Sequence, residues 1–193
     1  MDDQLIVDSP LFLDYIKAET EALGFSMASD YQTGSLLRTL AASKPAGHFL
    51  EIGTGTGLAT AWILAGMDSR SHLTTVDIDE QVLAVARKYL GSDSRISIVI
   101  DDATGFLLEC EVESFDYIFA DSWPGKYDRL EETLGLLRPG GIFIIDDMLP
   151  QPNWPQGHGA NVERLVGKLE SREDVSVTKI GWSTGLMLVV KRP

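Results

Sequence analysis

The chain has 193 residues, of which 44% are hydrophobic, and its 16 Lys and Arg against 29 Asp and Glu give a formal net charge of −13. This length predicts one globular domain, with a core large enough to need neither disulfides nor a structural metal. The negative charge argues against a nucleic-acid partner, because that affinity depends on Lys and Arg neutralising phosphates.

Cys110 is the one cysteine, so it cannot form an intrachain disulfide, and the Cys and His spacing does not follow a zinc pattern. The acidic start at positions 1–4 is unlike the basic start of a signal peptide, and no apolar run approaches the roughly 18 residues that a membrane span needs. We therefore expect a soluble cytoplasmic protein in a reducing compartment, with no membrane partner.

Two helices are predicted in residues 1–46. Ser9 as N-cap and Pro10 at the first helical position favour a helix start, and the apolar spacing continues this helix to about Leu23. A second helix is predicted over 32–43. We expect residues 47–193 to form the α/β core of the same single domain.

Short apolar runs alternate with helical stretches from position 49 onwards. The predicted strands are 49–52, 73–76, 96–100, 115–119 and 142–145, and the predicted helices lie near 57–66, 80–90, 103–110, 127–137 and 160–171. This alternation indicates a parallel sheet with helices on both faces. Two more strands, 175–180 and 186–190, are too close in sequence for a parallel crossover and should pair antiparallel. The sequence therefore predicts a three-layer α/β sandwich whose seven-stranded, mostly parallel sheet has a reversed last strand.

A glycine-rich loop, 51–57, follows the first predicted strand. Glycines at 53, 55 and 57 let the backbone turn sharply and approach a ligand, although their spacing differs from the dinucleotide fingerprint. Asp77 ends the second strand, where a carboxylate can bind ribose hydroxyls, and Asp102 follows the third strand, where it could accept from an adenine amino group. The alternative is that these residues only form a turn, a helix cap and polar strand ends.

In this pattern the chain resembles the class I S-adenosylmethionine (SAM)-dependent methyltransferases, which have a Rossmann-like fold. The resemblance implies that the loop holds the methionine part of SAM, that Asp77 holds the ribose and that Asp102 faces adenine. Glu51 matches the acid that leads the family's motif. The cofactor-binding residues implied here are Glu51, Gly53, Thr54, Gly55, Gly57, Asp77, Ile78, Asp102 and Ala103.

Three aspartates follow neighbouring strands. Asp121 comes after the fourth strand, and Asp146 and Asp147 come after the fifth, so all three should meet at the carboxyl edge of the sheet. Such a cluster needs a proton or a cation, and oxygen ligands suit Mg²⁺, or Ca²⁺ or Mn²⁺, better than zinc. The alternative is that these carboxylates cap the turns that follow.

The stretch from 119 to 147 is similar to the cation-dependent O-methyltransferases, which include the catechol and caffeoyl-coenzyme A enzymes. That resemblance implies a metal at Asp121, Asp146 and Asp147, with Asp147 standing where the family has Asn. It also implies that Trp123 packs on adenine and that Lys126 is the candidate base, although Lys126 could equally be an exposed loop lysine.

Residues 27–34 resemble the segment that covers the cofactor in these enzymes. The resemblance thus adds Met27, Ser29, Asp121 and Trp123 to the cofactor site, and it assigns region 1–46 to covering it. Catalysis is assigned to Lys126 and Asp121.

A loop over 148–159 follows the acidic pair. Pro152 and Pro155 stiffen it, and Trp154 either lies against a planar substrate or anchors the loop to the core. His158 could reach the site, but a solvent-facing histidine is the commoner case.

The function predicted from these resemblances is methyl transfer from SAM to a hydroxyl of a small, catechol-like acceptor with adjacent hydroxyls, aided by a divalent cation, most simply Mg²⁺. Two alternatives stay open. One is a metal-independent methyltransferase of the same fold, and the other is a non-catalytic nucleotide-binding module. The resemblance also allows a homodimer.

Overall fold

A computed structural model describes residues 8–193, so the acidic start at positions 1–4 and the first part of region 1–46 lie outside the described residues. The helices are α1 Leu13–Ala22, α2 Tyr31–Ala42, α3 Leu58–Gly66, α4 Glu80–Leu90, α5 Ala103–Glu109, α6 Leu130–Leu136 and α7 His158–Glu170. The strands are β1 His48–Ile52, β2 His72–Asp77, β3 Ile96–Ile100, β4 Phe115–Ala120, β5 Leu137–Ile145, β6 Val175–Ile180 and β7 Leu186–Lys191.

The seven strands form one sheet in the order β3-β2-β1-β4-β5-β7-β6. The pairs among β1 to β5 are parallel, whereas β7 runs antiparallel to both β5 and β6. The predicted α/β fold with a reversed last strand is therefore confirmed. The chain order reverses direction at β1 and β4, which places a ligand crevice beyond the carboxyl ends of these two strands.

Alternate residues of the central strands belong to two separate cores. Phe49, Tyr117 and Phe119 pack with α1 to α4 on one face. Leu50 and Ile118 pack with α5, α6 and α7 on the other face. This alternation follows from the period of two in a strand, and it produces the predicted three layers.

The helix α3 is apolar all round because α2 covers its outer side. All residues from Leu58 to Leu64 are buried. A Cβ at Gly34 of α2 would lie 2.2 Å from the Trp62 ring, so only glycine permits this approach. The packing fixes α3, and with it the glycine loop that leads into it.

Two predicted helix starts were wrong. Ser9 and Pro10 precede α1, because Phe12 adopts a left-handed φ of 67° and the helix begins at Leu13. Likewise α6 begins at Leu130 and not near 127, because Arg129 has a φ of 63°. A right-handed helix cannot include a residue with such a φ. The strand β5 also begins five residues before the predicted start at 142, directly after α6.

Within the described part of the chain, no helix has the length and apolar character needed to cross a membrane.

Candidate active site

A cleft of about 510 Å³ lies at the carboxyl ends of β1, β2, β4 and β5. Residues 25–29 form one wall, and the loop after β5 with the start of α7 forms the opposite wall. Of the residues predicted for cofactor, metal or catalysis, twelve line this cleft: Met27, Ser29, Gly53, Thr54, Gly55, Asp77, Ile78, Asp121, Trp123, Lys126, Asp146 and Asp147.

The glycine loop needs glycine for two separate reasons. Gly53 has a φ of 97°, and a Cβ there would lie 2.9 Å from the carbonyl oxygen of Asp121. Gly57 has a φ of 93°, and its Cβ would lie 2.9 Å from the Cβ of Ala86 in α4. Gly53 thus opens the floor of the cleft, whereas Gly57 lets α3 pack on α4 and does not line the cleft.

Asp77 fixes the shape of the loop from the end of β2. Its carboxylate accepts hydrogen bonds from the backbone N–H of Gly55 at 2.8 Å and of Asp79 at 3.0 Å. A carboxylate has about four acceptor positions, so ribose hydroxyls can still bind. The side chain therefore links the loop to the edge of the cleft where a sugar would lie.

Glu51 lies beneath the loop and is fully buried. Its Oε2 accepts hydrogen bonds from the hydroxyls of Thr60 and Thr75, each at 2.6 Å, while Oε1 has no partner. Burial raises the pKa of Glu51 to about 7, against the opposing effect of the two hydroxyls. Glu51 therefore supports the loop from below and is separated from the cleft.

Asp102 and Ala103 also lie outside the cleft lining. Asp102 is the N-cap of α5, where its Oδ1 accepts from the N–H of Thr104 at 2.9 Å. Ala103 is buried in the first turn of the same helix. The position of Asp102 after β3 is as predicted, and its side chain performs the capping that the sequence allowed as the alternative.

Two carboxylates lie together at the inner end of the cleft. Asp146 is 2% exposed, and its Oδ1 accepts from the hydroxyl of Thr184 at 2.5 Å and from the N–H of Asp147 at 2.7 Å. Asp121 is deeply set and partly open to the cleft, and Ser29 donates to it at 3.3 Å. Burial, and then repulsion by Asp146, raise the pKa of Asp121 well above its usual range, and burial raises the pKa of Asp146 to about 6.

Lys126 is buried beside this pair and is not an exposed loop lysine. It is 3% exposed, and its Nζ donates to the main-chain oxygen of Asp146 at 2.9 Å. Lys126 lies in a tight turn. In this turn Gly125 has a φ of 88°, and the backbone N–H of Tyr127 donates to the main-chain oxygen of Trp123 at 3.0 Å. The ammonium charge favours ionisation of both Asp121 and Asp146.

Asp147 contacts aromatic side chains of the cleft wall. It has a φ of 64°, its Oδ1 accepts from the indole N–H of Trp154 at 2.6 Å, and its Oδ2 lies 3.4 Å from Nε2 of His158. Trp154 stacks on the His158 ring with centroids 4.3 Å apart, and the hydroxyl of Tyr127 lies 2.9 Å from the same Nε2. Trp154 therefore anchors the loop after β5.

His158 is buried and lines the cleft, in contrast to the commoner solvent-facing case. Its Nδ1 has no hydrogen-bond partner. Burial lowers the pKa of His158 more than Asp147 raises it, and Lys126 lowers it further. Tyr127 and Thr184 were missed by sequence reasoning, because their contacts depend on segments far apart in the chain.

The donor set does not fit a divalent cation in this arrangement. The Lys126 ammonium already supplies a positive charge here, where it donates to the main-chain oxygen of Asp146, while Oδ1 of Asp147 accepts from Trp154 and Oδ1 of Asp146 accepts from Thr184. Across residues 8–193, no group of three His, Cys, Asp or Glu side chains has a geometry suited to holding a metal ion.

The sheet order, the glycine loop and the acid at the end of β2 together define a class I methyltransferase fold. Residues 50–148 match the model of a family described as a methyltransferase domain, and these 99 residues are just over half of the chain. The chain therefore belongs to this family, and the resemblance to class I methyltransferases is confirmed.

Among curated proteins, the chain is similar to one from Mycobacterium avium named "Putative O-methyltransferase", with 32% identity over 117 residues. The match covers 58% of this chain and 53% of that protein, so the chain spans about half the length of the curated relatives it matches.

Two solved structures share the fold. The O-methyltransferase from Bacillus cereus in complex with S-adenosylhomocysteine (SAH) has a TM-score of 0.85 at 20% identity, covering 98% of this chain and 94% of that one. The O-methyltransferase TomG from Streptomyces achromogenes, involved in tomaymycin synthesis and in complex with SAM, has a TM-score of 0.84 at 22% identity, covering 99% and 94%.

Proposed function

We propose that the protein is a SAM-dependent O-methyltransferase that acts on a hydroxyl of a small molecule. The observation that carries this proposal is one cleft with two chemically different ends. The glycine loop and Asp77 lie at one end, and Asp121, Asp146 and Lys126 lie at the other. Family membership and the curated relatives support the same conclusion.

The cofactor end fits SAM because its backbone is open where a side chain would intrude. Gly53 leaves the floor free, and Asp77 provides acceptors for ribose hydroxyls. Met27, Ile78 and Trp123 are exposed apolar residues of the cleft lining, against which a base could pack. When bound, SAM supplies an electrophilic methyl group on its sulfonium for transfer to an oxygen.

The inner end would position the acceptor hydroxyl. Lys126 and Asp121 are the polar side chains there that can contact it: the Lys126 ammonium can donate a hydrogen bond to the acceptor oxygen, and the Asp121 carboxylate can accept its proton. Fixing a reactive oxygen in line with a methyl group can supply roughly 7–11 kcal/mol in well-oriented cases. The burial of Lys126 and the hydrogen bond of its Nζ to the main-chain oxygen of Asp146 limit the positions that the amine can take.

A second version includes a divalent cation and a catechol-like acceptor with adjacent hydroxyls. The observation that favours it is the pair of carboxylates with raised pKa, Asp121 and Asp146, which a cation would stabilise. This version requires Asp147 to give up its contacts with Trp154 and His158.

The test is transfer of a labelled methyl group from SAM to catechols, to monohydroxy phenols and to aliphatic alcohols, each with EDTA or with Mg²⁺. Product methylated on oxygen is expected, and persistence of transfer in EDTA would support the metal-independent version. Loss of transfer in EDTA, restored by Mg²⁺, would support the cation version. Cofactor binding without transfer to any acceptor would favour a nucleotide-binding module.

A further inference from the structure

A buried positive charge lies among the acids at the inner end of the cleft. Lys126 is 3% exposed, and its nearest described polar partner is the main-chain oxygen of Asp146 at 2.9 Å. A buried ammonium needs negative charge nearby to offset its desolvation. Asp121 and Asp146 line the same end of the cleft and are the acids that can provide it.

The third acid, Asp147, has contacts of its own with aromatic side chains of the cleft. Trp154 donates its indole N–H to Asp147 at 2.6 Å, and His158 lies 3.4 Å from the other carboxylate oxygen. Asp147 is thus held by a hydrogen bond on the aromatic side of the cleft. A cation at Asp121 and Asp146 could take Asp147 as a third carboxylate ligand only against this bond.

The charge balance leads to the same conclusion. A divalent ion beside Asp146 would lie close to the Lys126 ammonium in a water-poor site, where like charges repel strongly. Asp146 also has its Oδ1 occupied by Thr184 and by the N–H of Asp147. The chain thus places its own cation where the sequence pattern predicts a metal.

We propose that the Lys126 ammonium is the resident cation of this acidic site, that it excludes divalent metal ions, and that methyl transfer is therefore metal-independent. The exclusion of metal ions depends only on the side chains of the site. The metal-independence of methyl transfer deepens the proposed function and rests on it. Because no metal has to be chelated, an acceptor with a single hydroxyl suffices.

Electron paramagnetic resonance of Mn²⁺ tests the exclusion directly, since it reports bound ion without any substrate. The wild type should leave millimolar Mn²⁺ free. Lys126→Met keeps an unbranched side chain, one atom shorter, and removes the charge, so its Mn²⁺ affinity should rise at least about tenfold. Adding Asp121→Asn to this variant should abolish the gain. Lys126→Arg, which keeps the charge, is the matched control and should leave Mn²⁺ free.

Two results would overturn the proposal. One is Mn²⁺ binding by the wild type that disappears in Asp121→Asn. The other is a folded Lys126→Met that binds no Mn²⁺, because the ammonium would then not be what excludes the ion. Circular dichroism checks folding, and Lys126→Gln replaces Lys126→Met if the latter unfolds.

SAH titration in the same samples separates the two proposals. Wild-type protein that binds SAH equally with EDTA and with Mn²⁺ supports both. Failure to bind SAH would contradict the proposed function while leaving the Mn²⁺ result valid.

Discussion

The buried carboxyl of Glu51 makes the stability of the protein depend on pH in a way that one substitution should remove. Burial raises its pKa from 4.5 to about 7. Below pH 4.5 the group is protonated in both the folded and the unfolded chain. As the pH rises, the unfolded chain loses the proton first, so the folded state binds more protons and the free energy of unfolding falls. Above pH 7 both states are ionised and the slope from this group ends.

The size of the effect follows from the two pKa values. One pKa unit corresponds to about 1.36 kcal/mol, so the difference between 4.5 and about 7 amounts to roughly 3 kcal/mol. Glu51→Gln removes the titration while keeping an oxygen that can accept from Thr60 and Thr75. Relative to this variant, the wild type should lose roughly 3 kcal/mol of unfolding free energy between pH 4.5 and pH 8.

Urea unfolding at a series of pH values measures this difference. Glu109→Gln, which removes an exposed acid from α5, is the control and should follow the wild-type pH profile. A Glu51→Gln profile parallel to the wild type from pH 4.5 to pH 8 would refute the reasoning, because it would mean that the buried carboxyl has the same proton affinity in both states.

Three further changes test the cleft and the packing that supports it. Asp77→Asn should weaken SAH binding by about 10- to 100-fold in calorimetry, since charge-assisted hydrogen bonds contribute roughly 1.5–3 kcal/mol. The control is Asp101→Asn, which lies directly after β3 and outside the cleft lining and should leave SAH binding unchanged. Gly34→Ala should lower the free energy of unfolding by about 1–3 kcal/mol, because the added Cβ would overlap the buried Trp62 ring. Gly167→Ala in α7 is the control and should not lower the free energy of unfolding, because the space around Gly167 is open. Trp154→Phe removes the indole donor of the loop after β5 and should speed amide exchange over 149–157; unchanged exchange would contradict the anchoring role.

The sequence predicts the fold well because its strongest signals are the apolar runs of the strands. The nearly continuous apolar runs of β4 and β5 are typical of central strands that are buried on both faces, and the short connection before Leu186 leaves only antiparallel pairing. Helix starts are less predictable, because a left-handed φ at Phe12 or Arg129 has no sequence signal in those residue types. Tertiary contacts around these positions determine where each helix begins.

The residues of the site likewise include some that the sequence identifies and some that it does not. Gly53 and Asp77 could be identified because their roles depend on local geometry after a strand. The roles of Lys126 and Asp147 could not, because they depend on which distant side chains surround them. Asp147 is diverted by Trp154, seven residues away in sequence. The Pro124-Gly125 pair is the sequence signal that could have indicated the turn in which Lys126 is buried.

Hydrogen–deuterium exchange with and without SAH tests the central claim most directly, because it shows both whether the cofactor product binds and where. Protection is expected in the glycine loop, 53–57, and around Asp77 and Trp123, which line the cleft. The surface around 129–132 should show no protection. An absence of protection in the glycine loop at saturating SAH would contradict the assignment of this cleft to a methyltransferase.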